Sequence, residues 1–334
     1  MHHELGRHRR DDSRTGWISG LSDVEAEAHP TRGGVRIGKQ LPERAATEPY
    51  DPNLEWDRDG QYFHYLTKWM HALDQVARWT GQSTFNVWGR ELADAAHRVF
   101  TYGPSEDRRM VWKLSIDRSR PLVSSMGHHD PLDGFVTCTE LEATAVRAAA
   151  GPSLSVATSD FAQMIDLEGL ATGDPLGLGG LLVDACRLAQ LDVSSELIAP
   201  LLAAAVLGLR RYLSQPDLQA PAHRRAFREL GLAIGLAGIT MVEADAFTRK
   251  RDASGQASVA QLAQYLPVRT EIESFWLRPC HRQTPTWVEH ADINDVMLAA
   301  CLAPEGFLAL GPTARTVPAG PLCQGSCRLR RVAA

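Results

Sequence analysis

The sequence lacks any apolar run long enough to cross a membrane. The two longest apolar runs, 198–209 and 231–242, fall well short of the roughly 18 residues that a membrane-spanning helix requires. The first 14 residues are rich in His, Arg and Asp and contain no apolar core of a secretory signal. These absences favour a cytoplasmic protein that does not associate with membranes, in which both apolar runs form buried core helices.

Motifs for disulfide frameworks and nucleotide binding are also missing. The six cysteines are scattered without a CxxC pair, which favours free thiols in a reducing compartment. There is no GxSxG, phosphate-loop or dinucleotide-binding fingerprint, and we expect the glycines of DPLGLGGLL, 174–182, in a loop that leads into a helix. A net charge of -5 gives no reason to expect nucleic acid. We expect no metal and no cofactor, and the oligomeric state stays open.

Helical periodicity dominates the rest of the chain. Predicted helices lie near 60–80, 83–100, 136–150, 159–170, 179–191, 194–214, 222–249, 257–278 with a break at Pro267, and 290–303. Gly81 is expected to end the first helix and Ser83 to cap the second, while Asp292 or Asn294 would cap the last. A short extended segment covers 111–116, where apolar and polar residues alternate. This succession predicts an all-α fold of stacked helical hairpins.

No strict repeat accompanies these helices, so a toroid of hairpins and an irregular bundle both remain open. We expect one domain over 1–310. Within it, residues 15–59 form a long loop dense in Gly, Pro and charge, and a loop of that length is either functional or partly disordered. The tail 311–334 has little apolar content and no period, which predicts a poorly ordered segment.

Residues 60–73, GQYFHYLTKWMHAL, combine a strong helical stripe with reactive side chains. The apolar residues crowd one side of the helix, as expected of a helix packed on a core. His64, Lys68, His71 and Gln75 are spaced 4, 3 and 4 apart, so they stack in one row on the opposite side. That row is either a solvated face or the lining of a cavity.

The turn SMGHHDPLDG, 125–134, holds a second group of reactive side chains. His128, Asp130 and Asp133 lie within six residues, and a histidine oriented by a carboxylate is a common general acid/base unit. The alternative is that both carboxylates cap the following helix while the histidines sit on the surface. A ligand triad with the spacing of a metal site is absent.

Two further segments contribute candidates. His290 lies in WVEHADINDVMLAA, 287–300, where helix capping explains some but not all of the polar residues. Arg36 lies among glycines in RGGVRIGKQLPER, 32–44, which could bind an anion through side chains and exposed backbone amides, although the spacing of a phosphate loop is missing.

These segments together resemble a known group of proteins. RGGVRIGKQLPER, LEWDRDGQYFHYLTKWMHALDQ, KLSIDRSRPLVSSMGHHDPLDG and WVEHADINDVMLAA are similar to uncharacterised bacterial proteins of the six-hairpin, glycosidase-like toroids, over roughly residues 1–310. More distantly, the helix with Tyr62, His64, Lys68 and Trp69 is similar to an inner helix of the N-acylglucosamine 2-epimerase family. The resemblance implies an (α/α)6-like toroid, which could be incomplete in this chain.

The resemblance also implies a function and a set of site residues. We expect a small-molecule carbohydrate ligand and an epimerase or isomerase reaction by acid/base proton transfer. The expected catalytic residues are His64, His128, His290 and Asp130, and the expected binding residues are Lys68, Trp69, His71, Trp112, Asp133 and Arg36. Lys68 replaces an arginine typical of the epimerases, and it cannot make the same bidentate contact.

Two other functions fit the same residues. A glycoside hydrolase would use Asp130 or Asp133 with a second carboxylate, because two acids must flank the bond that breaks. A non-catalytic sugar-binding or structural protein would keep the aromatic surface of Trp69 and Trp112 and lack a converging acid/base pair.

Overall fold

The computed structural model describes residues 1–145, 151–191, 193, 195–214, 221–244 and 253–311. Within these ranges the chain is mainly helical, and the predicted all-α class is confirmed. The helices are α1 (His2–Leu5), α2 (Asp23–Ala28), α3 (Phe63–Thr80), α4 (Ser83–Phe100), α5 (Asp130–Ala145), α6 (Ser155–Met164), α7 (Pro175–Leu191), α8 (Ser195–Leu213), α9 (Ala226–Ala244), α10 (Ala253–Ala263), α11 (Leu266–Leu277), α12 (Pro285–Val288), α13 (Ala291–Leu302) and α14 (Glu305–Leu308).

Five short strands accompany the helices. They are β1 (Gln61–Tyr62), β2 (Thr101–Tyr102), β3 (Arg109–Met110), β4 (Lys113–Leu114) and β5 (Pro121–Val123). Strands β1, β4 and β5 form an antiparallel sheet in that order, and β2 pairs with β3. The Phe63 amide donates to the Trp112 carbonyl at 3.0 Å, so this sheet fixes the start of α3 beside the predicted extended segment.

Helix ends follow the sequence signals at some positions and not at others. Gly81 ends α3 with a φ of 73°, a left-handed conformation that glycine adopts without steric cost. Ser83 is the first residue of α4 rather than its cap, and Gln82 precedes it without a side-chain cap. The predicted caps of α13 are also wrong. His290 occupies the N-cap position, and the Asn294 side chain instead donates to the Trp287 carbonyl at 3.0 Å.

The turn at 125–134 ends earlier than the sequence indicates, because α5 already begins at Asp130. Pro131 is the second residue of α5, where its missing amide hydrogen leaves no helical hydrogen bond unmade. Asp133 therefore lies inside the first turn of the helix. Both carboxylates are carried on a rigid element rather than on a loop.

The segment 15–59 contains more structure than a loop. Helix α2 begins with a capping box formed by Ser22 and Glu25, and Leu54–Trp56 form a 3-10 turn. The fully buried Asp59 accepts hydrogen bonds from Arg36 at 3.0 Å, Arg9 at 3.3 Å and the Gly38 amide at 2.8 Å.

The longer helices contact one another in chain order. Helix α3 contacts α5, α5 contacts α7, and α7 contacts α9, which in turn contacts α11 and α13. Helices α4, α6 and α8 pack against α3, α5 and α7, and α10 packs against α8 and α9. The apolar runs predicted as core helices form the buried parts of α8 and α9. Across the described ranges, no helix is both long and apolar enough to span a bilayer.

Helices α7 and α9 approach each other closely at glycine residues. A Cβ atom on Gly179 would meet the Gly231 carbonyl oxygen at 2.1 Å, and one on Gly235 would meet the Gly179 oxygen at 2.6 Å. The expectation that these glycines of 174–182 form a loop is wrong, because they lie in α7. Of these glycines, Gly179 must be small because the backbone of α9 touches it.

Two adjacent glycines test this packing. Gly179→Ala should lower the free energy of unfolding by about 1–3 kcal/mol through overpacking. Gly180→Ala is the matched control, since a Cβ there meets nothing within 4 Å, and it should raise the free energy by about 0.5–1 kcal/mol through helix propensity. Urea unfolding measures both. Equal effects of the two substitutions would disprove the close contact.

Candidate functional site

The polar row of α3 faces neighbouring parts of the protein rather than solvent. His71 and Gln75 are buried, with 2% and 7% of their surfaces exposed. Lys68 remains partly accessible, and its ammonium donates to both carboxylate oxygens of Asp133 at 2.9 and 3.0 Å. The Thr67 hydroxyl donates to the same carboxylate at 2.6 Å. Asp133, in the first turn of α5, thus places its carboxylate beside the middle of the polar row of α3.

A buried ion-pair network continues from Asp133 into the protein. The Arg187 guanidinium on α7 lies 3.5 Å from Asp133 and donates to Glu140 at 2.7 Å and to Asp184 at 3.2 Å. Glu140 also contacts the His71 Nδ1 atom at 2.8 Å. These side chains are almost fully buried, so each charge needs the others to offset the loss of water.

The pKa values of Asp130 and Asp133 are shifted in opposite directions. Burial raises the pKa of Asp130 to about 7, helped by the charge of Asp133, while Lys68 and a backbone hydrogen bond from Gly127 oppose the rise. Burial also raises the pKa of Asp133, but Lys68 and Arg187 outweigh it and leave that pKa below its usual range. Near neutral pH, Asp130 can therefore give or take a proton while Asp133 stays ionised.

The carboxyl group of Asp130 lies directly beneath the preceding turn. A Cβ atom on Gly127 would come within 2.2 Å of its Oδ2 atom, so only glycine fits there. That oxygen is buried and makes no hydrogen bond to the described residues. A buried carboxyl oxygen without a hydrogen-bond partner favours the protonated form of the acid, in agreement with the raised pKa of Asp130.

His64 stands beside the same ion pair. Burial, together with the smaller effect of the Lys68 charge, lowers the pKa of His64 to about 4, and the Asp133 charge opposes this shift. The imidazole is therefore neutral at pH 7. Its ring lies 4.5 Å from Tyr65, 6.0 Å from Tyr62 and 6.3 Å from Trp112, measured between ring centroids.

An aromatic surface adjoins His64. Trp112 stacks on Trp56 with ring centroids 5.2 Å apart, and Tyr62 meets Trp112 edge-on at 5.2 Å. Trp56 is 54% exposed, so one indole of the stack faces solvent. Trp69 lies elsewhere, since its ring contacts His2 of α1 at 5.7 Å. Of the two tryptophans expected to stack on a ligand, Trp112 is the one near the polar cluster.

The other predicted residues have different surroundings. His128 is exposed and contacts the ring of His129 at 4.4 Å, in the turn just before Asp130. His290 is exposed at the start of α13, where its ring contacts Phe227 at 5.5 Å. Arg36 is held in the ion pair with Asp59. The structure brings together His64, Lys68, Trp112, Asp130 and Asp133, with His71 joined through Glu140 and Arg187.

Sequence reasoning missed the residues that hold this cluster in place. Asp184 and Arg187 lie three residues apart inside the otherwise apolar α7, and Glu140 lies on α5. Charged residues within an apolar helix signal a buried ion pair, and that signal was available. The partners could not be identified from the sequence, because Asp133 and Glu140 lie on α5, more than 40 residues before Arg187.

Two other features of the described ranges lie outside this cluster. No group of three His, Cys, Asp or Glu side chains there could hold a metal ion. A cavity of ≈ 290 Å³ is lined by none of the cluster residues. Its walls are instead Arg9, Asp11, Asp12, Ser13, Arg14, Pro42, Glu43, Arg44, Ala45 and Arg120.

Comparison with known proteins gives no family for the chain. It matches no protein-family model, no curated protein and no solved structure. The geometry of the cluster is therefore the basis for a functional proposal.

Asp130→Asn tests the raised pKa. The folded protein binds this proton more tightly than the unfolded chain, so the stability it contributes is complete below about pH 4 and is lost as the pH rises through about 7. Relative to Asp130→Asn, the wild type should lose about 4 kcal/mol of unfolding free energy over that range.

Chemical unfolding at several pH values measures this difference. Asp133→Asn is the matched control with the opposite sign, because the pKa of Asp133 is lowered and its contribution is lost as the pH falls. If Asp130→Asn left the pH dependence unchanged, the carboxyl group would not be buried as described.

Proposed function

We propose that this chain is a carbohydrate-active enzyme that isomerises or epimerises a sugar by acid/base proton transfer at the cluster of α3 and α5. The observation that carries the proposal is that His64 and Asp130 lie one helical turn before Lys68 and Asp133, the two members of one ion pair, and that His64 adjoins the Trp56–Trp112 stack. Proton-transfer groups, a fixed cation and an aromatic surface are the parts that such a reaction needs.

The proposed architecture is a toroid of helical hairpins. Its support is the series of contacts from α3 through α5 and α7 to α9, with α4, α6 and α8 packed against the first three. In a toroid the helices of the inner ring direct their polar faces toward the centre. His71 and Gln75, the two buried residues of the α3 row, have that character.

The chemistry assigns one role to each residue. Asp130, with a pKa of about 7, removes the proton beside the sugar carbonyl and returns it to the neighbouring carbon. Negative charge then develops on the carbonyl oxygen, and the partly exposed Lys68 ammonium stabilises it. The neutral His64 imidazole donates or accepts a hydrogen bond at a second sugar oxygen. In the isomerisation His64 also passes the hydroxyl proton of that second oxygen to the former carbonyl oxygen, so one carbon is oxidised as its neighbour is reduced and no external oxidant is needed.

The ligand class follows from the aromatic stack. Sugars present faces of C–H groups edged by hydroxyl groups, and an exposed indole covers such a face while polar side chains bind the edges. Trp56 offers the exposed face, and Trp112 contacts the rings of both Trp56 and His64. A small carbohydrate is therefore the proposed substrate.

A glycoside hydrolase is the second candidate. Its support is the separation of the two carboxyl pKa values, raised for Asp130 and lowered for Asp133, which suits one acid and one carboxylate. However, Asp133 is already bonded to Lys68, Thr67 and Arg187, so it has few free lone pairs for a sugar or a water. The isomerase is therefore the stronger proposal.

A panel of monosaccharides and disaccharides incubated in D₂O separates the functions. Isomerisation should place deuterium beside the carbonyl, as seen by NMR, whereas hydrolysis should release a reducing sugar without labelling it. Asp130→Asn should reduce exchange by about 100-fold or more, the typical range of general acid/base catalysis. Exposed Asp166 provides the same substitution as a control that should leave activity unchanged.

Binding of a sugar without exchange or cleavage would instead indicate a non-catalytic sugar-binding protein.

His128→Ala and His290→Ala test the two predicted catalytic histidines that lie outside the cluster. Both histidines are exposed, and the proposal expects at most a small effect from either. A loss at His290 as large as that at Asp130 would contradict the assigned roles.

A further inference from the structure

Residues 307–311 cross the polar faces of α3 and α7, and two glutamines bind their backbone. Gln190 on α7 donates from Nε2 to the Leu308 carbonyl at 2.9 Å and accepts at Oε1 from the Leu310 amide at 2.9 Å. Gln75 on α3 donates from Nε2 to the Ala309 carbonyl at 2.7 Å and accepts at Oε1 from the Gly311 amide at 3.0 Å. Each glutamine side chain thus bonds the backbone carbonyl of one residue and the backbone N–H of the residue two positions later.

Leu308 is the last residue of α14, and the chain becomes extended at Ala309, which has φ −75° and ψ 118°. Successive residues of a strand present their hydrogen-bonding groups to opposite edges, so a partner on each edge meets alternate residues. Gln190 takes positions 308 and 310, and Gln75 takes 309 and 311. The two side chains replace the neighbouring strands that a sheet would provide.

Further side chains line the trough in which residues 307–311 lie. The His71 Nε2 atom lies 2.9 Å from the Phe307 carbonyl, and Arg78 donates to the Gly311 carbonyl at 3.4 Å. Every one of these bonds goes to backbone atoms. Only Leu308 buries its side chain completely, whereas Phe307, Ala309 and Leu310 are half-buried. The trough therefore recognises main chain more than side chains.

We propose that the trough formed by His71, Gln75 and Gln190 is a binding site for the backbone of a polypeptide where it leaves a helical turn and becomes extended. In this chain its occupant is the segment 307–311, which acts as a releasable latch. The segment begins inside α14, a single helical turn whose Glu305 and Gly306 are exposed, and leaves it at Ala309. A short element held by side-chain hydrogen bonds opens more readily than the core helices do.

Release of the latch would affect the polar cluster. His71 connects Phe307 to Glu140, which Arg187 connects to Asp133. Opening would therefore extend the accessible part of the α3 row from Lys68 to Gln75. Control of the active site by the latch rests on the proposed function, but binding of a peptide backbone does not.

Hydrogen exchange of the wild-type protein tests the latch without any substitution. The amides of Leu310 and Gly311 should exchange about 100-fold faster than buried α9 amides such as that of Leu236, after correction for intrinsic rates. Mass spectrometry of peptides covering 305–311 and 230–240 measures both. Exchange of Leu310 and Gly311 as slow as that of α9 would show an integral part of the core and overturn the latch.

Leu310→Pro tests the recognition of the backbone. It deletes the amide that donates to Gln190, and Ala309 already has the extended conformation, φ −75° and ψ 118°, that a following proline requires. Leu310→Ala is the matched control, since it keeps the amide. A synthetic peptide EGFLALG, matching 305–311, should bind Leu310→Pro at least about 10-fold more tightly than wild type or Leu310→Ala.

The same peptide with proline at the position of Leu310 should not bind. Equal binding of both peptides, or equal binding to wild type and Leu310→Pro, would overturn the main-chain site. If Leu310→Pro fails to fold, Leu308→Ala replaces it, because it removes the buried side chain of the segment and leaves the residues of the trough unchanged. None of these results depends on sugar turnover, so failure of the enzyme proposal would be seen separately.

Discussion

The buried guanidinium of Arg187 is the interaction on which the centre of the structure depends. It contacts carboxylates of Asp133, Asp184 and Glu140, which come from α5 and α7, and the Thr137 hydroxyl at 3.1 Å. Removing it would take a cationic partner away from three buried carboxyl groups, which is far more costly than losing an exposed pair. It therefore fixes the orientation of α5 against α7.

That fixed orientation also sets the chemistry. Because Arg187 and Lys68 keep Asp133 ionised, its negative charge acts on the neighbouring Asp130 and helps to raise the pKa of that carboxyl group. The same ion pair lies next to His64. One structural network thus creates two adjacent carboxyl groups with different protonation states, which is a common arrangement in acid/base sites.

The opposite end of the α3 row serves a different purpose. Gln75 and Gln190 satisfy the backbone of 307–311, whose amides and carbonyls would otherwise be buried without partners. Gly311, predicted to begin a poorly ordered tail, is buried and bonded to Gln75, while 312–334 lie outside the described residues. One helical face therefore supports both a polar cluster and a segment remote in sequence.

The sequence alone determined the helices and several of their ends, because periodicity and glycine conformation act over a few residues. It placed α3 and the stop at Gly81 correctly and grouped His64, Lys68 and His71 on one face. Only the tertiary structure decided what that face meets: Asp133 from α5, Glu140 bound by Arg187, and a carbonyl at Phe307. Burial and charge contacts depend on distant parts of the chain, so local patterns cannot specify them.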